Sequence, residues 1–343
     1  MRVILLLDNA PDYRESFLRC LGNKCELTVI AHPCELSKLQ PPNQRCNYNY
    51  IELNCNNRTV FSAKNEFQTT VDSISPQILC VSLNLRFPKR IIDFYRNKKN
   101  VPWIWWGQVF GKNKILNPLK LYLIKKSCGA LVYTEDIVNK INHKNVISFN
   151  NSQFSKDDFI ELPNLVTNKL KFLFVGRPQK RKKLELALKL AKRRKDVIIR
   201  LVGPGMDDYF KDMGIPENVE FYPAAHGSEL IEHFQWSNLV INPGHAGLLV
   251  MNAATHNRPL IIDSVSEHAP EIQLARESDQ FFVDFENQEA LDSLLGNLIN
   301  NPFVYEKKGS QIHKIAKNKY TVENMTEKHM YLFQKGLKES KSI

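Results

Sequence analysis

Phe172-Leu-Phe-Val-Gly-Arg177, with Lys180-Arg-Lys-Lys183 close behind, and Asn242-Pro-Gly-His-Ala-Gly-Leu248, leading to Arg258-Pro-Leu-Ile-Ile262, decide the fold of this chain. Each segment reads as an apolar strand, a glycine-containing turn and a helix. Strands alternating with helices build parallel sheets through right-handed crossovers. In such sheets ligands collect beyond the carboxyl ends of the strands. Arg177 offers a planar donor fork there and Lys182 a compact cation, both suited to phosphate oxygens. Gly244 and Gly247 let a ligand approach the backbone. The helix starting near Gly247 presents free N–H groups and a positive dipole end. Together these features suit a diphosphate. The plainer alternatives are a basic surface loop and a tight turn that bind nothing. Against the second alternative, the turn lacks the large apolar residues that a purely structural one would bury.

Working outward, the alternation fills both halves of the chain. The first half predicts strands over 2–8, 26–31, 48–53, 77–83, 101–106, 130–133 and 146–149, with helices over 12–21, 88–97, 115–128 and 135–141. Residues 150–168 are polar, contain Pro163-Asn164 and read as a linker. The second half predicts strands over 171–175, 197–202, 219–222, 239–242, 259–263 and 280–283, and a final helix over 322–338. The expectation is an α/β protein with two doubly wound Rossmann-like domains facing each other across a cleft. The N-terminal domain would span 1–166 and the C-terminal domain 167–318, with the helix in 319–343 returning toward the first. The run Lys192-Arg-Arg-Lys195 ends a predicted helix, where cations suit the dipole, and reads as a solvated helix end.

Composition narrows the class. The 343 residues are 43% hydrophobic and 24% charged, as in a globular protein with a sizeable core. No stretch approaches a membrane span. The opening Met-Arg-Val-Ile-Leu-Leu-Leu-Asp8 is too short an apolar run for a leader, so the expected location is the cytoplasm, with peripheral contact at the inner face of a membrane left open. Seven cysteines, an odd number without a C-x-x-C, argue against a disulfide framework and a cysteine zinc site. Five histidines lie between residues 226 and 268 without metal-like spacing, so no metal is expected. The net charge of +11 favours anionic partners without choosing among nucleotides, phosphorylated acceptors, acidic lipid and nucleic acid.

Three further stretches carry possible chemistry. His268-Ala-Pro-Glu271 follows a predicted strand, and Glu271 either accepts from sugar or ribose hydroxyls or merely suits a helix start. Pro102-Trp-Ile-Trp-Trp-Gly-Gln108 is an aromatic strand. Trp103 and Trp105 read as core, whereas Trp106 and Gln108, at the strand end, read as site candidates. Lys112, Lys114, Lys120, Lys125 and Lys126 flank Ile115, Leu116, Leu119, Leu121 and Leu123. Such a helix either rests on an anionic surface or packs on the sheet with its lysines in water.

These residues resemble a known family, the GT-B glycosyltransferases, most of all glycosyltransferase family 4. Phe174-Val-Gly-Arg177 with Lys182 resembles its VGR…K segment, Leu201-Val-Gly-Pro-Gly205 its glycine-rich strand end, and Gly247-Leu248 with Ala253 and Pro259 its G-L-x-x-x-E-A segment. More weakly, Asn9-Ala-Pro-Asp-Tyr-Arg14 resembles the loop after the first strand, Trp106-Gly-Gln108 a W-G-H segment, and 146–151 the strand entering the linker. The resemblance implies a GT-B fold and metal-independent, retaining transfer from a nucleotide-diphosphate sugar to a glycan, lipid-linked or other hydroxyl acceptor. It places Arg177, Lys182, Gly247 and Leu248 on the donor diphosphate. Gly244, His245, Asn252 and Glu271 fall to the donor ribose and sugar, and Asn9, Tyr13 and Trp106 to the acceptor, with Gln108 and Glu271 as catalytic candidates. Two departures stand out: Gly244 and Asn252 occupy the positions of the family's two glutamates. Gln108 stands for a histidine and Asn257 for a glycine. A GT-B protein that binds nucleotide or carbohydrate without turnover is the first alternative. A nucleic-acid-modifying transferase is the more remote one, since the chain shows no nucleic-acid motif.

Overall fold

The structure, a computed structural model, describes residues 1–37, 39–53, 66–110, 114–163 and 168–340. Contacts divide the chain into two compact units, Met1–Ser155 with Thr321–Ile343, and Lys156–Tyr320. The boundary expected at 166/167 lies outside the described residues. Part of the expected linker is bound to the second unit instead. Arg258 is fully buried there. Its guanidinium donates to the carbonyls of Leu162 at 3.2 Å, Pro163 at 2.9 Å and Phe234 at 2.9 Å. The Ile160 N–H donates to Thr255 O at 2.9 Å.

The first unit has seven parallel strands: β1 (Arg2–Asn9), β2 (Glu26–His32), β3 (Asn49–Glu52), β4 (Ile78–Ser82), β5 (Trp103–Trp106), β6 (Gly129–Val132) and β7 (Val146–Ser148). The second has six: β8 (Leu170–Val175), β9 (Val197–Val202), β10 (Val219–Tyr222), β11 (Leu239–Asn242), β12 (Leu260–Asp263) and β13 (Phe281–Val283). The orders are β3-β2-β1-β4-β5-β6-β7 and β10-β9-β8-β11-β12-β13. The expected α/β class with two doubly wound sheets is therefore what forms. Each sheet reverses its winding once, between β1 and β4 and between β8 and β11. In open α/β sheets ligands bind beyond the strand ends at such a switch point. Near-continuous apolar runs such as Phe172-Leu-Phe174 are fully buried, as expected for strands covered on both faces.

Alternation along β1 splits the first unit's core in two. Val3, Leu5 and Leu7 pack with Phe17, Phe149 and Phe333 on one face, and Ile4 and Leu6 pack with Phe94, Trp103 and Trp105 on the other. Trp103 and Trp105 are core, as read. Trp106 is core as well, which corrects its reading as an acceptor contact. It is 3% exposed and meets Phe17 and Phe149 edge-on, at 5.8 and 5.6 Å between ring centroids. The cause is the helix Val322–Ser340, which puts Met325, Leu332 and Phe333 into that face. The Val322 N–H donates to Phe154 O at 2.9 Å as the chain re-enters this unit. A helix at Glu66–Ile74, unread in the sequence, buries only Phe67 and Val71. The helix expected over 115–128 is shorter, Asn117–Lys125.

His329, on the returning helix, is fully buried among Phe17, Trp106 and Phe149 at 4.7, 5.3 and 5.6 Å. Its Nδ1 donates to Met325 O at 2.7 Å. Burial drives its pKa down to about 3, with a smaller contribution from the Arg14 cation. The native imidazole is thus neutral, while the unfolded one takes up a proton near pH 6.5. Its contribution is present above pH 6.5 and is lost as pH falls toward about 3. From linkage this amounts to about 2 kcal/mol between pH 7 and pH 5. Denaturant unfolding at both pH values should show that loss in the wild type and a smaller one in His329→Phe. Equal losses in the two proteins would assign the titration elsewhere.

Candidate donor site in the second unit

The two segments that decide the fold leave β8 and β11, the strands flanking the second unit's switch point. After β8 the chain runs through Gly176 (φ 146°) and Arg177 into a short 3-10 turn, Lys180–Lys182. After β11 it makes the turn Asn242-Pro-Gly244 and enters the helix Leu249–Thr255. Asn242 is fully buried, and its Nδ2 donates to Gly244 O at 2.7 Å, which shapes that turn.

The two loops are locked together. The His245 N–H donates to Arg181 O at 2.9 Å. Lys182 Nζ donates to His245 O at 2.7 Å. A Cβ at Gly244 would lie 2.5 Å from Arg181 O and 2.6 Å from the Lys182 carbonyl carbon. The glycine is therefore required because the neighbouring backbone fills the place of a side chain. No glutamate fits at 244 with these loops in place. Gly247 differs, since a Cβ there would make only an ordinary contact with Ala269, at 3.8 Å.

The loop after β12 joins the same assembly. Ala269 N–H donates to Ala246 O at 2.8 Å. Ala246 N–H donates to His268 Nδ1 at 3.1 Å, and His268 Nε2 lies 2.9 Å from Asp263 O. An acceptor Nδ1 obliges the proton to sit on Nε2, so His268 is a neutral, doubly bonded strut. Burial also lowers its pKa. His245 Nδ1 lies 2.7 Å from Glu267 O, which fixes the proton there and leaves Nε2 with a lone pair. Burial, and then the Arg181 and Lys182 cations, hold His245 below the ordinary histidine range.

The charges follow from this framework. Arg177 and Arg181 are exposed and Lys182 is half-buried. Burial lowers the Lys182 pKa to about 8; Arg181 lowers it further, and Glu271 acts against both. Glu271 is 8% exposed, and its charge reaches both Lys182 and His245. Lys183, in the left-handed region at φ 49°, places Nζ 3.5 Å from the buried Asp263 carboxylate. Among the described residues no backbone carbonyl accepts from the N–H of Gly247 or Leu248. The structure thus brings Lys182, Gly244, His245 and Glu271 together at one edge of the sheet. Asn252 sits one turn into the helix, half-buried, with its Nδ2 donating to Leu248 O at 3.2 Å. Asn257, where the resemblance has a glycine, adopts φ 55° just past that helix, a conformation asparagine tolerates.

The first unit holds the remaining candidates. Asn9 donates to Pro33 O at 2.9 Å and accepts from Ser37 Oγ at 2.9 Å, so its amide braces a loop. Tyr13 is half-buried with the Arg14 guanidinium 5.5 Å from its ring. Gln108 is exposed, and its carbonyl accepts from Lys120 Nζ at 2.9 Å. Sequence reasoning missed a charged cluster at this unit's own switch point. Asp8 accepts from Arg90 at 2.5 Å, Ser82 at 2.6 Å and Asn84 at 2.7 Å. Burial alone would raise the Asp8 pKa, but Arg90 and the two hydrogen bonds hold it below the usual carboxylate range. Asp8 lies more than seventy residues from its three partners, so no local spacing announced the cluster.

Residues 155–319 match the family model described as Glycosyl transferases group 1. The match begins and ends within one residue of the second unit, Lys156–Tyr320. No curated protein matches the sequence. Solved structures do match over nearly the whole chain. A glycosyltransferase from Rickettsia africae ESF-5 gives a TM-score of 0.74 at 12% identity over 98% of both chains. A sucrose-phosphate synthase from Thermosynechococcus elongatus gives 0.71 at 12% identity, over 97% of this chain and 98% of that one. HepE of Anabaena, solved in complex with UDP, gives 0.69 at 12% identity over 97% and 100%. The fold is GT-B, and the second unit matches the group 1 glycosyltransferase model; together these support a glycosyltransferase.

Gly244→Ala should drive a methyl group into the Arg181–Lys182 backbone and cost about 1–3 kcal/mol of stability, whereas Gly247→Ala should cost far less. Thermal unfolding of the two variants checks the contrast. Equal behaviour would mean that the loops are not locked at Gly244.

Proposed function

We propose that the chain transfers a glycosyl group from a nucleoside diphosphate sugar to a hydroxyl acceptor, with side-chain and backbone positive charge doing the work of a metal ion. The observation that carries this reading is the locked pair of loops at the second unit's switch point, where cations gather beside unpaired backbone N–H groups. As the glycosidic bond breaks, negative charge grows on the departing diphosphate. Arg177, Lys182 and the N–H groups of Gly247 and Leu248 are the donors that would receive it. Donors aimed at developing charge in a water-poor site are the strongest contributors to such a step.

The same locking supports a donor site that holds the sugar without a carboxylate at 244. In its place stand Glu271 and the Nε2 lone pair of His245, both able to accept from sugar or ribose hydroxyls. Asn252 would bond the ribose with its amide oxygen, since its Nδ2 is already engaged. Retention of anomeric configuration is part of the proposal, supported by the resemblance to family 4. Asn9, Tyr13 and Gln108 of the first unit are the acceptor-side candidates. Trp106 drops out because its ring is core. The acceptor is a glycan or lipid-linked hydroxyl. HepE has been solved with UDP and with UDP-glucose, which makes uridine diphosphate sugars the first donors to try.

Arg177→Ala and Lys182→Ala should each lower transfer about 10²–10³-fold with the thermal transition unchanged for Arg177→Ala, whose side chain is exposed. Wild-type rates in both would remove the assignment. Donor binding without turnover across a broad acceptor panel would favour a binding protein of the same fold.

Lys182 also gives a pH signature. Its cation is present below about pH 8 and is lost above it. UDP affinity should fall as pH rises through about 8, and Lys182→Arg, which stays charged, should flatten that fall. Calorimetric titration across this range reads both; a flat wild-type profile would show that Lys182 does not meet the diphosphate.

A further inference from the structure

Three arginines are buried among the described residues, Arg258 at 0%, Arg90 at 4% and Arg14 at 9% exposure. Two of them spend their donors inside the fold. Arg258 donates to the carbonyls of Phe234, Leu162, Asn257 and Pro163. Arg90 donates to the Asp8 carboxylate, to Ser82 and to Leu7 O. Arg14 differs. Its Nη1 donates to Asn151 Oδ1, and that is its one acceptor among the described residues.

A guanidinium holds five N–H donors and a permanent charge. Arg14 Nε and Nη2 have no protein acceptor among the described residues, and neither is sealed from solvent. No carboxylate among the described residues pairs with this cation. The acidic residues beside it in sequence face other partners: Asp12 accepts from the Tyr13 N–H, and Glu15 from the Tyr48 hydroxyl and the Cys46 N–H. His329, which feels the Arg14 charge, is neutral. Aromatic rings flank the guanidinium, with the Trp106 centroid at 5.4 Å and the Tyr13 centroid at 5.5 Å. Ring faces attract a cation but do not cancel its charge. A buried charge without a counter-charge is costly, and here the fork that could relieve the cost stays open.

Its place in the fold points the same way. Arg14 lies beyond the carboxyl end of β1, Trp106 closes β5 and Asn151 follows β7. The three meet at the edge of the sheet where ligands bind in such folds. They are separate from the Asp8–Arg90 pair. The helix that carries Arg90 packs Phe94 on one face of the sheet, and the helix Glu15–Gly22 that follows Arg14 packs Phe17 on the other. An arginine that served only as a brace would be bonded as Arg258 is. We propose that Arg14 selects an acceptor that carries an oxyanion, a phosphate or a carboxylate, which accepts side by side from Nε and Nη2. Asn151 fixes the fork and Trp106 supports it from below. A planar fork suits two oxygens of one oxyanion. The proposal rests on the reading of the chain as a transferase to a hydroxyl acceptor and narrows that acceptor to an anionic one.

The test is calorimetric titration of the full chain with glucose 6-phosphate, glucuronate and glucose. It uses the Arg177→Ala/Lys182→Ala double variant, so that the cations of the second unit make no claim on the anion. Glucose 6-phosphate or glucuronate should bind about 10–100-fold more tightly than glucose, as charge-assisted hydrogen bonds provide. Which of the two binds separates a phosphorylated acceptor from a carboxylated one. Adding Arg14→Gln should erase the preference. Adding Arg14→Lys, which keeps the charge and loses the fork, should reduce it about tenfold, the worth of one charge-assisted bond. A mere brace would behave otherwise, with Arg14→Gln lowering the thermal transition and leaving the preference intact. Should the Arg14→Gln protein not fold, the Arg14→Lys protein decides. Three results would overturn the proposal: no tighter binding of either charged sugar with Arg14 present, a preference that survives Arg14→Gln, or an undiminished one in Arg14→Lys. UDP binding to the wild type, measured separately, reports on the donor reading alone.

Discussion

The second unit's site rests on one close approach, the Arg181–Lys182 backbone set into the place of a side chain at Gly244. Several otherwise separate facts follow from it. The His245 N–H reaches Arg181 O, and Lys182 Nζ reaches His245 O, only because the two chains run this near. Lys182 is half-buried by the same contact, and burial is what lowers its pKa. The loop after β12 then closes on the pair through His268, whose two ring nitrogens are both spoken for. A site of this kind is pre-arranged. Its donors need no reorganisation when charge appears, which is the condition under which fixed dipoles act most strongly.

Much of this was legible in the sequence. The strands show as short apolar runs, and the glycines and cations stand where a switch point puts them. The fold class follows from alternation alone, because parallel strands require crossovers. What remained hidden is what depends on contacts between distant positions. Gly244 could be recognised as a departure from a family pattern, but the reason, a backbone 62 residues earlier, belongs to packing. Trp106 ends its strand and so invited a role at the surface. The helix that covers it begins at Val322, and periodicity carries no trace of such a pairing. The helix Glu66–Ile74 escaped notice because two buried apolar residues do not make a pattern.

The two switch points are also built from different chemistry. In the second unit cations outnumber carboxylates and lie partly open. In the first, Arg90 is buried and spends its donors on Asp8, Ser82 and the Leu7 carbonyl. An ion pair whose members already hold several hydrogen bonds is a poor ligand, since any newcomer must replace bonds already made. The same topology therefore yields an anion-receptive edge in one unit and a self-neutralised edge in the other. Fold alone does not distinguish them; the hydrogen-bond partners do.

The returning helix Val322–Ser340 carries a consequence for the order in which the protein is made. Lys156–Tyr320 is one unbroken piece of chain and has everything it needs once it has left the ribosome. The first unit's strands are synthesised before the second unit, yet one face of their core lacks Met325, Leu332 and Phe333 until the helix Val322–Ser340 has been translated. During that interval Phe17, Trp106 and Phe149 face water or a chaperone. Domains generally fold as units during synthesis, so here the part translated first is the one that has to wait.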